Sequence, residues 1–182
     1  MKKIGIISRS QSIKNKEFIG CYINYVKKIK NKAYAFIIPY DSDINILKLV
    51  DGIIAPGGDN VGKFDKDVFK YALDNDIPYL GICLGMQVMG ELDKIDNHYL
   101  KEHIVYIKKD TLLYKIYNTD KLIVNSRHHD RVVKTKYMVS AISSDNIIEA
   151  IEVMNKKFIL GVQWHPEDMI DSKIFDYFIK SL

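Results

Sequence analysis

Gly81-Ile82-Cys83-Leu84-Gly85 sets a cysteine between glycines, directly after the apolar run Ile77-Pro78-Tyr79-Leu80 and before a helix predicted from Met86-Gln87-Val88-Met89. That arrangement is the pattern of a nucleophile elbow. The turn is so tight that the residues two before and two after the nucleophile must be small, and the nucleophile is held in a strained backbone conformation above the sheet. The following helix aims its first N–H groups at the sulfur, which favours the thiolate. The chemistry this predicts is attack of Cys83 on a carbonyl, hence acyl transfer.

A cysteine nucleophile needs a base, and the base needs an orienting group. Of the five histidines, His165 in Gly161-Val162-Gln163-Trp164-His165-Pro166-Glu167 is the best placed. It ends an apolar run, Pro166 stops the strand, and a turn there can return Glu167 to the imidazole to fix its tautomer. The oxyanion needs two N–H donors. Leu84, next to the nucleophile, offers one. Pro56-Gly57-Gly58-Asp59 offers the other, because glycine lets backbone approach a substrate. Asn125-Ser126-Arg127-His128-His129-Asp130 is the remaining dense polar cluster and reads as a wall of the same pocket. Neighbours in sequence rarely converge on one ion, and no zinc-ligand spacing accompanies them, so no metal is expected.

These residues need elements to position them. Lys3–Ser8, Ala33–Ile38, Asp51–Ala55 and Ile77–Ile82 are apolar runs with the look of buried strands, and between them lie helical patterns over Lys16–Ile29, Ile44–Val50 and Phe64–Leu73. Strand and helix alternating in this way predict a doubly wound parallel sheet with ligands at its carboxyl ends, where both glycine turns fall. From His98 the texture changes. Six strands are predicted, at His98–Lys108, Leu112–Tyr117, Leu122–Asn125, Tyr137–Ser143, Ile147–Met154 and Phe158–Gln163. Asn155-Lys156-Lys157 joins the last two, and a helix at Ile170–Ile179 follows.

The chain has 182 residues, of which 47% are apolar, enough for one domain with a sizeable core. Its net charge of +4 comes from 27 basic and 23 acidic side chains. The one basic cluster, Lys27, Lys28, Lys30 and Lys32, reads as a solvated helix face rather than a nucleic-acid site. No apolar run approaches membrane-spanning length, and Met1-Lys2-Lys3 leads straight into a strand without a signal peptide. A reducing, cytoplasmic setting is expected, with Cys21 in or near the core.

Gly-Ile-Cys-Leu-Gly-Met-Gln at 81–87, Gly-Val-Gln-Trp-His-Pro-Glu at 161–167 and Pro-Gly-Gly-Asp at 56–59 closely resemble the class I glutamine amidotransferases. Val124-Asn125-Ser126 followed by His128-His129 resembles one branch, the gamma-glutamyl hydrolases, including the gamma-glutamyl-gamma-aminobutyrate hydrolase type. The resemblance runs from the first strand to the last helix. It implies one such domain over residues 1–182, folded as a flavodoxin-like three-layer α/β sandwich with a mostly parallel central sheet and extra antiparallel strands in the second half. It implies Cys83 as nucleophile, His165 as base and acid, Glu167 as its partner, and N–H groups of Gly57 or Gly58 and of Leu84 as the oxyanion hole. Gln87, Ser126, Arg127 and His128 would bind substrate. No cofactor is implied.

The sequence departs from that branch at Leu84, where the branch usually has arginine, in a shortened loop Asn60-Val61-Gly62-Lys63, and at Asp130 in place of glutamine. The leading expectation is a free-standing hydrolase of a small gamma-glutamyl amide, releasing glutamate and an amine. A glutaminase subunit feeding ammonia to a partner synthase is the alternative, and a non-catalytic relative that binds a glutamyl metabolite is a third. Neither nucleic acid nor membrane is an expected partner, and a homo-oligomer is left open.

Overall fold

A computed structural model describes residues 1–95, 99–171 and 173–182, with the side chains of Ile13, Tyr99, Leu100 and Lys101 outside the description. His98, the predicted start of a strand, lies outside the described residues.

The first strand, β1 (Lys3–Ile7), is buried along four of its five residues. It is followed by β2 (Arg9–Ile13), β3 (Lys16–Gly20), helix α1 (Ile23–Ile29), β4 (Tyr34–Ile38), a 3₁₀ helix at Ile44–Leu49, β5 (Gly52–Ala55), α2 (Lys63–Asn75), β6 (Tyr79–Ile82) and α3 (Leu84–Gln87). The second half comprises β7 (Glu91–Lys94), β8 (Tyr99–Ile107), α4 (Leu112–Tyr117), β9 (Lys121–Arg127), β10 (Asp130–Lys134), β11 (Met138–Ser143), β12 (Ile148–Glu152), β13 (Ile159–Val162), a 3₁₀ turn at Pro166–Asp168 and α5 (Lys173–Lys180).

Nine strands form one sheet in the order β4-β1-β5-β6-β13-β12-β11-β8-β9. The pairs from β4 through β13 are parallel, and those from β13 through β9 are antiparallel. The pleat divides the apolar runs between two cores. Ile4, Ile6, Ile54, Leu80 and Leu160 face one side, with Tyr25, Leu113, Trp164, Phe175 and Phe178. Ile7, Ile53, Tyr79 and Ile159 face the other, with Leu47, Phe64, Phe69, Met86 and Met89. Helices therefore cover both faces, which is the expected three-layer α/β sandwich.

Three local expectations are corrected. Lys16–Ile29 is not one helix. Lys14 and Asn15 adopt positive φ (50° and 61°), which closes a two-residue hairpin between β2 and β3, and the helix begins only at Ile23. Cys21 lies in this junction, half-buried against the core. Leu112–Tyr117 is a helix rather than a strand. Thr111 caps it by accepting from the N–H of Tyr114, Glu152 accepts from Leu112 and Leu113, and Asn118 ends it at φ 52°. β4, expected to be buried, is an edge strand with Tyr34, Phe36 and Ile37 exposed. A further two-stranded ribbon, β7 with β10, was not anticipated.

Candidate functional site

The site is built where β5, β6 and β13 end side by side. Ile82 pairs with Val162, so Cys83, one residue beyond β6, and His165, three beyond β13, leave the same edge of the sheet. Cys83 takes φ 52° and ψ −105°, a strained conformation for a residue with a side chain. Its N–H donates to the Val162 carbonyl (2.8 Å), and its carbonyl accepts from Met86 (2.9 Å) and Gln87 (3.0 Å). A Cβ at Gly81 would collide with the Gly85 carbonyl, and one at Gly85 with the Ala55 carbonyl. The elbow therefore closes only with both glycines. The Tyr79 hydroxyl ties it by donating to the Gly85 carbonyl at 2.7 Å.

His165 is held at both ends. The side-chain oxygen of Asn125 accepts from its N–H (2.8 Å), and the side-chain amide of Asn125 donates to its carbonyl (2.9 Å). The ring Nδ1 meets Glu167 Oε1 at 2.7 Å, leaving Nε2 for Cys83. Burial works against an imidazolium here. Hydrogen bonds to Cys83 and Glu167, and the charges of both, outweigh it and push the His165 pKa up to about 10. The Tyr25 hydroxyl also faces Glu167, and burial raises its pKa strongly, with the carboxylate adding to the effect.

Gly57 lies against this pair. A Cβ placed on it would stand 2.9 Å from His165 Cε1 and 3.4 Å from Cys83 Cβ. Gly58 packs against the side chains of Leu84 and Arg9. The expected triad and glycine loop thus converge. The residues assigned to substrate are more dispersed. Gln87 is buried and donates to Asp130 O (3.1 Å) and Gln163 Oε1 (3.4 Å). Ser126 is buried on β9. His128 is buried, with Nδ1 2.9 Å from Asp130 O and Nε2 3.9 Å from Glu149. Arg127 turns to Asp168, with an ion pair of 2.5 Å.

Four residues beyond the expected set belong to the same construction. Gln163 donates to Cys83 Sγ at 3.5 Å. Asn125, seen in sequence only as part of a polar cluster, clasps His165. Tyr25 and Arg9 carry no local signal, because their partners lie far along the chain. In the basic cluster at the end of α1, Lys27, Lys30 and Lys32 are exposed, as expected of a solvated face, and Lys28 is half-buried. Lys28 donates to the carbonyls of Met169 (2.5 Å) and Asp171 (2.9 Å), and Lys32 pairs with Asp176 (2.5 Å). A cavity of about 400 Å³ between α1 and the Pro166–Asp168 turn is lined by Lys27, Lys28 and Glu167 among others. No helix among the described residues is long and apolar enough to cross a membrane.

A cysteine at a strained elbow, a histidine–carboxylate pair from the neighbouring parallel strand, and a glycine turn beside both define the class I glutamine amidotransferase-like architecture. The chain belongs to the peptidase C26 family, whose model matches residues 62–167. It is therefore a cysteine hydrolase acting on amide bonds. It is 30% identical to a glutamine amidotransferase-like protein of Rickettsia prowazekii, with 80% of this chain and 81% of that one covered. It is 31% identical to the CTP synthase of Borreliella afzelii over 70% of this chain, and spans about a third (33%) of that enzyme's length. Among solved structures, a GMP synthase-type protein of Thermoplasma acidophilum superposes with a TM-score of 0.81 at 20% identity, covering 100% and 94% of the two chains. The glutaminase domain of Trypanosoma brucei CTPS, solved with bound acivicin, gives 0.75 at 21% identity, covering 100% and 92%.

Proposed function

We propose that the chain hydrolyses gamma-glutamyl amides through a glutamyl thioester. The observation that carries this reading is the His165 ring, bonded through Nδ1 to Glu167 and presenting its other edge to Cys83 and Gly57. The Cys83 thiolate adds to the gamma-carbonyl, and the N–H groups of Leu84 and of Gly58 or Gly57 receive the oxyanion. His165 then protonates the departing amine as the C–N bond breaks. Water, giving its proton to His165, attacks the thioester and releases glutamate with the thiolate restored. Gln87, Ser126, Arg127 and His128 are the residues proposed to shape the glutamyl pocket, within a single domain over 1–182. A panel of gamma-glutamyl amides including glutamine, with released amines identified by mass spectrometry, tests it. Turnover should fall at least about a thousand-fold in Cys83→Ala and His165→Ala. Retained turnover in either variant overturns the assignment.

A second reading is favoured by Leu84 and by the CTP synthase relatives. In it the same chemistry acts on glutamine, and the ammonia goes to a partner synthase. Glutamine hydrolysis near zero for the protein alone, rising steeply with a synthase added, would select this reading over the free-standing hydrolase.

A further inference from the structure

Arg9 begins β2 immediately beyond the end of β1, and its side chain is mostly buried. Every face of its guanidinium is engaged. Nε donates to the Gly57 carbonyl at 3.0 Å and Nη2 to the Pro56 carbonyl at 2.6 Å. Nη1 meets Asp65 Oδ1 at 2.5 Å. The other Asp65 oxygen accepts from the Tyr40 hydroxyl (2.9 Å) and the Gly62 N–H (2.9 Å), and the guanidinium carbon lies 5.6 Å from the centre of the Tyr40 ring. This planar fork grips two consecutive peptide carbonyls of the glycine turn and is itself fixed from behind by a buried carboxylate.

The grip dictates the direction of the opposite groups. In a trans peptide the carbonyl and the N–H point opposite ways, and the chain holds no cis bond among the described residues. With the carbonyls of Pro56 and Gly57 both drawn to Arg9, the N–H groups of Gly57 and Gly58 must both face away from it. For Gly57 the consequence is visible, since its N–H faces the Tyr25 hydroxyl. An extended strand would alternate these directions. Here both point away from Arg9, the Gly57 N–H toward Tyr25, which makes the Gly58 N–H the candidate donor to an oxyanion. Charge-assisted bonds to the carbonyls also polarise the peptides and strengthen the N–H donors.

We infer that Arg9 is the positioning residue of the oxyanion hole, setting the Pro56–Gly57–Gly58 peptides so that the Gly57 N–H turns to Tyr25 and the Gly58 N–H faces the carbonyl oxygen of a Cys83-bound acyl group. The inference rests on the acyl-transfer reading of Cys83 and goes beyond it. Lysine would preserve the charge but could not span both carbonyls and Asp65 at once.

Two reactions of Cys83 separate this role from general support. Acylation by a p-nitrophenyl ester passes through an oxyanion, whereas alkylation by iodoacetamide does not. Both are measured on wild type, Arg9→Lys, Arg9→Met and Asp65→Asn, with Cys83→Ala subtracting any contribution of Cys21 and thermal melting monitoring the fold. The expected result is acylation slowed about 100-fold in the Arg9 variants, with alkylation within about twofold of wild type and hydrolysis losing kcat rather than gaining KM. Asp65→Asn should show the same split to a smaller degree. If only Arg9→Lys folds, it carries the test. Equal losses in both reactions, no loss of acylation, or a wild-type Cys83 that no ester acylates each overturn the inference. Wild type that is acylated by the ester yet leaves every gamma-glutamyl amide intact overturns the proposed function instead, and leaves the comparison of Arg9 variants standing.

Discussion

Asn125 and His165 are joined like two paired strand residues, with the Asn125 side chain standing in for backbone. Its oxygen accepts from the His165 N–H at 2.8 Å, and its amide donates to the His165 carbonyl at 2.9 Å. β9 lies at the far edge of the sheet from the parallel strands. The main chain of the histidine beside Cys83 is thus held from an edge strand through a single side chain.

Asn125→Ala removes both bonds and frees the His165 main chain. Its stability should fall by about 2 kcal/mol and its turnover by about 10- to 100-fold. Asn125→Asp retains the acceptor for the His165 N–H but presents an oxygen to its carbonyl, and should recover little of the loss. Chemical denaturation and steady-state kinetics read both effects.

The carboxylate of Glu167 is one of the groups that hold the His165 pKa near 10. A carboxylate favours the charged imidazolium, so Glu167→Gln must move that pKa downward. The alkaline limb of the pH–rate profile should shift to lower pH in this variant. Titration of His165 followed by NMR checks the shift directly, and an unchanged pKa would refute it.

Gly57→Ala places a methyl group 2.9 Å from His165 Cε1. The imidazole or the turn has to move by some tenths of an ångström, enough to misalign His165 against Cys83. Turnover should fall about 100-fold with the melting temperature nearly unchanged. A loss of stability matching the loss of activity would show that the turn serves the fold instead.

Glu149 on β12 is fully buried, with His103 Nε2 at 3.1 Å. Burial pushes its pKa above the ordinary 4.5, and His103 only partly opposes this. An acid whose pKa is raised by folding ionises more readily when unfolded. The protein is therefore favoured below about pH 4.5, and loses that part of its stability as pH rises through the native pKa. Glu149→Gln cannot ionise. The melting temperature of the variant relative to wild type should become more favourable between pH 4 and pH 7.

The parallel strands and the meeting of Cys83, His165 and Glu167 were legible because each is written locally. β1, β5, β6 and β13 are buried on both faces and read as short apolar runs, while Cys83 and His165-Pro166-Glu167 carry their turn geometry in adjacent residues. The hairpin of β2 and β3 was hidden, because Phe18, Ile19 and Tyr22 fit a helical period although they are exposed in the structure. Leu112–Tyr117 has the composition of a strand, and tertiary contacts decided otherwise, since the carboxylate of Glu152 receives its first N–H groups. Arg9 gave no signal at all. Its partners in the glycine turn lie 48 and 47 residues away, a distance that no local pattern reports.

The pairing of β6 with β13 also has a kinetic meaning. Cys83 and His165 approach each other only after a loop of roughly eighty residues has closed, and parallel pairing of this kind carries a high contact order that slows folding. Gain of Cys83 acylating power during refolding therefore works as a clock for the late docking of the C-terminal strand. Secondary structure should return first, and the competent sulfur last.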